Sequence, residues 1–209
     1  MKEDILEQLV DDYLNHLGYF TIHNEKYRPG GQTPSDIDVI GYSPRAKRDR
    51  RVIVVNCKSW QSGFDVGAWE KAISGQLTTP KNRSCEKFRE LAYPTWSQAL
   101  GDAVDAVSAS KSFVHVTAVT RAFNCQNSDW SASFKAKVGH DFANQGYSVQ
   151  AEILTIDQML NDLYAAMGTT LASSQIGRLI QVIKASGWTP PVPEVKAQGT
   201  GTRKKPLIE

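Results

Sequence analysis

The sequence is short of cysteine, of long apolar runs and of any surplus of one charge. Its three cysteines, Cys57, Cys85 and Cys125, are an odd number without CxxC spacing. Neither a disulfide framework nor a cysteine zinc site follows from them, and a reducing, cytoplasmic setting is the expectation. No apolar stretch reaches the ~20 residues that a membrane-spanning helix needs. The opening MKEDILEQL is charged and amphipathic, unlike a secretory signal. The histidines His16, His23, His115 and His140 never fall at HxxxH or HxH spacing, which speaks against zinc. GxSxG, GxGxxG and Walker A elements are missing, and RPGGQTP lacks the Gly-Lys-Ser/Thr ending of a phosphate loop. A formal net charge of +2 is too small to announce a nucleic-acid binder by itself.

What is present is the make-up of a globular protein, 41% hydrophobic and 22% charged over 209 residues. That is enough for one well-buried domain, expected over residues 1–186. The stretch after it, 187–209, is rich in proline, glycine and charge and is expected to be a flexible tail. Leu6, Leu9, Val10, Tyr13, Leu14 and Leu17 recur at helical spacing, with Gly18 at the place of a C-terminal cap. Strand character follows in Tyr19–Tyr27, Ser35–Tyr42 and Arg51–Trp60, the last two predicted to pair antiparallel. Helical phase then starts near Asp65 and returns over Ser84–Ala109 with an interruption near Pro94. Next come a strand in FVHVTAVT, a helix over Ser131–Gln145 and a strand over Tyr147–Thr155. Helices over Ile156–Met167 and Leu171–Ala185 close the order. The fold class this predicts is α/β, one central mixed sheet flanked by helices, with extra helices at the C-terminal end.

Strand side chains alternate between faces. In SDIDVIGY this puts Asp36, Asp38 and Ile40 on one face and Ile37 and Val39 on the other. In RVIVVNCKSW it puts Val52, Val54, Asn56 and Lys58 together, opposite Ile53, Val55 and Cys57. Strands that are apolar on both faces are buried on both. Asp38, Asn56 and Lys58 therefore stand where a core strand stays apolar, and a buried charge is costly unless paired or bound to metal. Such local rule-breaking marks a functional site. The plainer alternative is an Asp38–Lys58 ion pair at a frayed sheet end.

The runs LEQLVDDYLNHLGYF, SDIDVIGYSP and RVIVVNCKSW, in that order, resemble the opening of Mrr-like restriction endonucleases of the PD-(D/E)xK nuclease superfamily. The resemblance covers roughly residues 1–75. It implies an αβββαβ restriction-endonuclease-like core and a Mg²⁺-dependent endonuclease (Mn²⁺ being a substitute) that hydrolyses phosphodiester bonds in DNA, in restriction, phage defence or repair. By it Asp38, with the Cys57 backbone carbonyl, would hold the metal. Asn56 takes the position of the family's Glu or Gln as a further metal ligand, Lys58 that of its catalytic lysine, and Glu7 that of its helix glutamate, reaching the metal directly or through water. Arg45, Lys47, Arg48, Arg50 and Arg51 would then contact DNA phosphates near the site, a salt-sensitive contribution. A homodimer or a separate specificity subunit would supply sequence selectivity. Asn56 departs from the pattern: an amide brings no charge, and metal affinity weaker by about 1–3 kcal/mol is expected. The second expectation is therefore a catalytically impaired nuclease fold that binds nucleic acid or a protein.

Other residues read more plainly. Asp36 is an alternate carboxylate. Trp60 is expected to pack under the following helix, and Gln76 to be an exposed or second polar group near the site. His115, inside an apolar strand, is expected to be a satisfied core histidine, and Cys57 a core residue rather than a nucleophile. The second basic cluster, Arg203, Lys204 and Lys205, belongs to the tail.

Overall fold

Asp4 starts the first helix by accepting a hydrogen bond from the Leu6 N–H at 2.8 Å, the side-chain cap that a helix N-terminus needs. The helix, α1 (Ile5–His16), buries Leu6, Leu9, Val10, Tyr13 and Leu14 along one stripe. Gly18, at φ +81°, turns the chain out of it in the left-handed conformation that glycine adopts without strain. The computed structural model describes residues 4–30, 33–73, 88–124, 132–166, 168, 172 and 174–189.

Strands β1 (Phe20–Tyr27), β2 (Ser35–Tyr42) and β3 (Val52–Lys58) follow as an antiparallel meander. Then come β4 (Phe64–Asp65), α2 (Val66–Ile73), α3 (Arg89–Ala92), α4 (Pro94–Ser108), β5 (Ser112–Val119) and β6 (Ala122–Phe123). The chain continues through α5 (Ala132–Ala143), β7 (Ser148–Thr155), α6 (Ile156–Ala166) and α7 (Gln175–Ala185). Five strands form one mixed sheet in the order β1-β2-β3-β5-β7, with β3, β5 and β7 parallel. The interruption expected near Pro94 is real. Proline opens α4, and Tyr93 before it is extended, as a residue preceding proline prefers. The short β4–β6 bridge was not predicted, since two-residue strands carry no alternation to read.

Each face of the sheet carries its own core. On one, Ile40, Val52, Val54, Phe113 and Val149 meet Trp69 of α2, Leu91 of α3, Leu100 of α4 and Phe142 of α5. On the other, Val39, Ile53, Val55, Val114 and Val116 meet α1, Met159 and Leu163 of α6 and Ile180 of α7. The expected alternation fails at one place. Ile37 packs in the same core as Ile40, whereas Val39 packs in the opposite one. The slip falls at Asp38, across from Asn24, whose φ of +56° kinks β1.

In the linker before β3, Arg50 donates to both carboxylate oxygens of Glu152 at 2.9 Å, and its carbonyl accepts from the Tyr19 hydroxyl at 2.8 Å. At the other end of the chain, Trp188 is docked rather than free. Its carbonyl accepts from the Tyr164 hydroxyl at 2.6 Å and its ring meets that tyrosine edge-on at 6.4 Å. Residues 190–209, the bulk of the expected tail, lie outside the described residues, as do Cys85, Cys125 and Gln76. Among the described residues no helix is long and apolar enough to cross a membrane.

Candidate active site at a split in the sheet

The ladder between β1 and β2 reaches from Phe20–Tyr42 to Tyr27–Ser35, with the Asn24–Asp38 position alone left out. The ladder between β2 and β3 falls short. It joins Val39–Tyr42 to Val52–Val55 and then stops, although both strands continue. Carried on, its register would set Asp38 opposite Asn56 and Asp36 opposite Lys58. Instead the strands part, and β3 stays paired with β5 through Asn56–Thr117 and Lys58–Val119. Into the gap opens a cleft of about 290 Å³. Ser35, Asp36 and Asp38 line it from β2; Asn56, Lys58 and Trp60 from the end of β3; Arg89 and Glu90 from α3; and Trp96 from α4.

The Cys57 N–H, which would have bonded to β2, donates to Asp38 Oδ2 at 2.5 Å. A strand residue sends its N–H and C=O to the same side, so the Cys57 carbonyl also faces the gap. Burial raises the Asp38 carboxyl above the usual aspartate range, helped by repulsion from Asp36 and Glu90 and opposed by the Cys57 N–H and Lys58. Asp38 and Lys58 share the cleft without an ion pair within 4.0 Å, so the plain pairing at a frayed sheet end is not what is found. Asp36 instead takes the Lys26 ammonium at 3.1 Å, out at the surface.

Asn56 is only 3% exposed. Its Nδ2 donates to Glu90 Oε1 at 2.7 Å, while its Oδ1 is buried with no partner. Glu90, itself 5% exposed, is the site residue that sequence reasoning missed. A glutamate in a helical stretch is ordinarily solvated, and only the packing of α3 between Phe88 and Leu91 carries this one under the sheet end. Arg89, its neighbour, also lines the cleft, with its guanidinium 5.0 Å from the centre of the Trp96 ring. Behind Asn56 lie His115 and Thr117 of β5, both fully buried. His115 is a core residue but not the satisfied one expected. Neither ring nitrogen is hydrogen-bonded, and Nε2 stands 3.9 Å from Glu90 Oε1. Burial, then the nearby Lys58 charge, pushes its pKa down to about 3, so the ring is neutral at ordinary pH.

Glu7 lies in the first turn of α1 and lines a different hollow, with Asp4, Asp11 and His23. It still senses the site: burial raises its carboxyl, and Asp38, Asp4 and Asp36 add to the rise. Cys57 packs towards the α1 side, and burial, with Asp38 and Glu7 adding to it, pushes its thiol far up, which suits a core residue and not a nucleophile. Trp60 was expected to pack under the following helix; its ring lies 6.0 Å from Phe64 of β4 and 5.7 Å from Phe88 just before α3, while also forming a wall of the cleft. The basic linker is not beside this cleft. Arg45–Arg51 precede β3, whereas Asn56 and Lys58 end it, about 20 Å further along at ~3.3 Å per residue.

Asp38 and Asn56 line one cleft, Asn56 with an unpartnered amide oxygen, and the Cys57 carbonyl faces the gap between the strands beside it. This donor set fits a hard cation such as Mg²⁺, which takes one or two carboxylates and keeps several waters. Among the described residues no three His, Cys, Asp or Glu side chains form a metal-holding group. No family model matches the chain, and neither a curated protein nor a solved structure is significantly similar to it. The class that fold and cleft define is an α/β protein with a five-stranded mixed sheet and a polar cleft at the split between two of its strands.

Proposed function

We propose that the chain is a Mg²⁺-dependent endonuclease acting on DNA, with a core of the restriction-endonuclease type. The observation that carries this reading is the convergence of Asp38, Asn56 and Lys58 on one cleft where β2 and β3 separate. Asp38, Asn56 Oδ1 and the Cys57 carbonyl would hold the ion, and Glu7 adds negative potential from α1. When bound, such an ion polarises the phosphodiester and lowers the pKa of an attacking water. Lys58 orients that water and stabilises charge developing on the phosphate, in a cleft where partial burial strengthens the interaction. Arg89 supplies a second cation for the phosphate. Glu90 fixes the rotamer of Asn56 by taking its Nδ2, which turns Oδ1 the other way.

One observation favours a second reading, a nuclease fold that binds without cutting. The residue at the family's acidic position is an amide, and its donor side is already committed to a buried carboxylate. Cleavage of supercoiled plasmid and of single-stranded DNA in Mg²⁺ and in Mn²⁺ separates the two. The enzyme reading expects nicking by wild type and a loss of about 100-fold or more in Lys58→Ala and Asp38→Ala, since each removes charge stabilisation at the reacting centre. Absence of cleavage in both metals, or cleavage undiminished in both variants, overturns it.

A further inference from the structure

At the opposite end of the sheet, where β3, β5 and β7 begin, lies a larger cleft of about 680 Å³. Arg48 and Arg51 of the linker, Lys111 of the turn before β5 and Tyr42 at the end of β2 stand around it, and no Asp or Glu does. All three cations are exposed, and none has a carboxylate partner among the described residues. The contrast with Arg50 is instructive. It sits between two of them in the chain and donates from both terminal nitrogens to Glu152.

The bland explanation for the cations is that they complement helix ends. Two helices finish at this cleft, α4 near Ser108 and α5 at Ala143. Each C-terminus carries roughly −0.5 of a charge, so together they offset about one of three full positive charges. The cleft stays cationic by about two.

A second feature points from bare charge to a kind of ligand. Tyr42 is 41% exposed, and its cross-strand neighbour Phe20 is 73% exposed. Two open aromatic faces beside unpaired cations are the elements from which single-strand binding sites are made. The cations follow the phosphates, and the rings stack on bases that no complementary strand covers. A duplex would use the cations and leave the rings idle.

We propose that this cleft binds single-stranded nucleic acid, with Arg48, Arg51 and Lys111 on the phosphates and Tyr42, beside Phe20, stacked on a base. The site lies about 20 Å from Lys58 along β3 and does not require the other cleft to be catalytic. It therefore goes beyond the cleavage reading.

The test is fluorescence anisotropy of a labelled twelve-nucleotide thymidine strand in EDTA, which separates binding from cutting. Wild type is expected to bind the strand more tightly than the matching duplex. Tyr42→Ala should weaken it about tenfold. The double variant Arg51→Glu/Lys111→Glu should weaken it by more than tenfold and flatten its salt dependence, because two phosphate contacts are lost. Circular dichroism confirms that each variant is folded; if Arg51→Glu/Lys111→Glu is not, Arg51→Gln/Lys111→Gln replaces it with the same expectation. Equal affinity for duplex, displacement of the strand by micromolar pyrophosphate, or unchanged binding in the charge variant each overturns the proposal. A protein that binds in this pattern without cleaving defeats only the nuclease reading. One that cleaves while its charge variant binds normally defeats only this one.

Discussion

Among the described residues His115 has unusual surroundings for an ionisable group. It is fully buried, lacks hydrogen-bond partners at both ring nitrogens and feels the Lys58 charge. Its folded pKa of about 3 lies below the ordinary 6.5. Below pH 6.5 the unfolded chain takes up a proton that the folded chain refuses. Its neutral ring therefore contributes stability that is complete above pH 6.5 and is lost as pH falls towards 3, by about 1.4 kcal/mol per pH unit. In urea unfolding, the stability gap between wild type and His115→Leu should narrow, or reverse, on going from pH 7 to pH 4.5. Parallel curves would show that the imidazole gains a proton in the fold. Sequence alone placed this residue in the core correctly, because an apolar strand surrounds it. It could not show the missing partners, which depend on where α3 brings Glu90. The same blindness hid Glu90 itself. Asp38, Asn56 and Lys58 were legible because polar residues on doubly apolar strands break a pattern that sequence displays.

Elements were legible wherever a period persisted for two turns or four residues. The stripe Leu6–Leu9–Val10–Tyr13–Leu14 and the alternation in β2 and β3 gave their strands and helix nearly to the residue. The slip at Asp38 was not legible, because it coincides with the positive φ of Asn24 across from it in β1 and no residue of β2 announces it. Packing between elements is similarly hidden, and Gly101 is an example. It lies buried in α4, where a Cβ would come 2.5 Å from Cε2 of Tyr147, a ring fixed by its hydroxyl bond to Asp102 at 2.6 Å. Helix propensity alone favours alanine there by about 1 kcal/mol. The clash should win, because a buried ring at the start of β7 cannot retreat. Gly101→Ala is expected to lose about 1–3 kcal/mol in urea denaturation, and a gain in stability would show that the ring moves freely.

At the scale of the whole molecule, two cores share a single sheet. β3 and β5 contribute alternate residues to each, so neither face can be dismantled without exposing the other. At 209 residues the chain is longer than those that usually unfold in one step. The shared strands nevertheless argue for one transition. Trp60, Trp69 and Trp96, three of the four described tryptophans, report on the α2–α4 face, with Trp188 against Tyr164 of α6 as the exception, whereas α1, α6 and α7 on the far face contribute to the helical ellipticity. Fluorescence and circular dichroism should therefore give coincident urea curves, and separated midpoints would mean that the two faces melt independently. The split between β2 and β3 adds a consequence of its own. Central strands normally hold a protein's slowest-exchanging amides, yet here the ladder lapses beside the middle of the sheet, leaving one edge of β3 to a side chain instead of a neighbouring backbone. A ligand seated in that notch would stand where ladder bonds are missing, so slower exchange of the amides flanking it is the expected mark of binding.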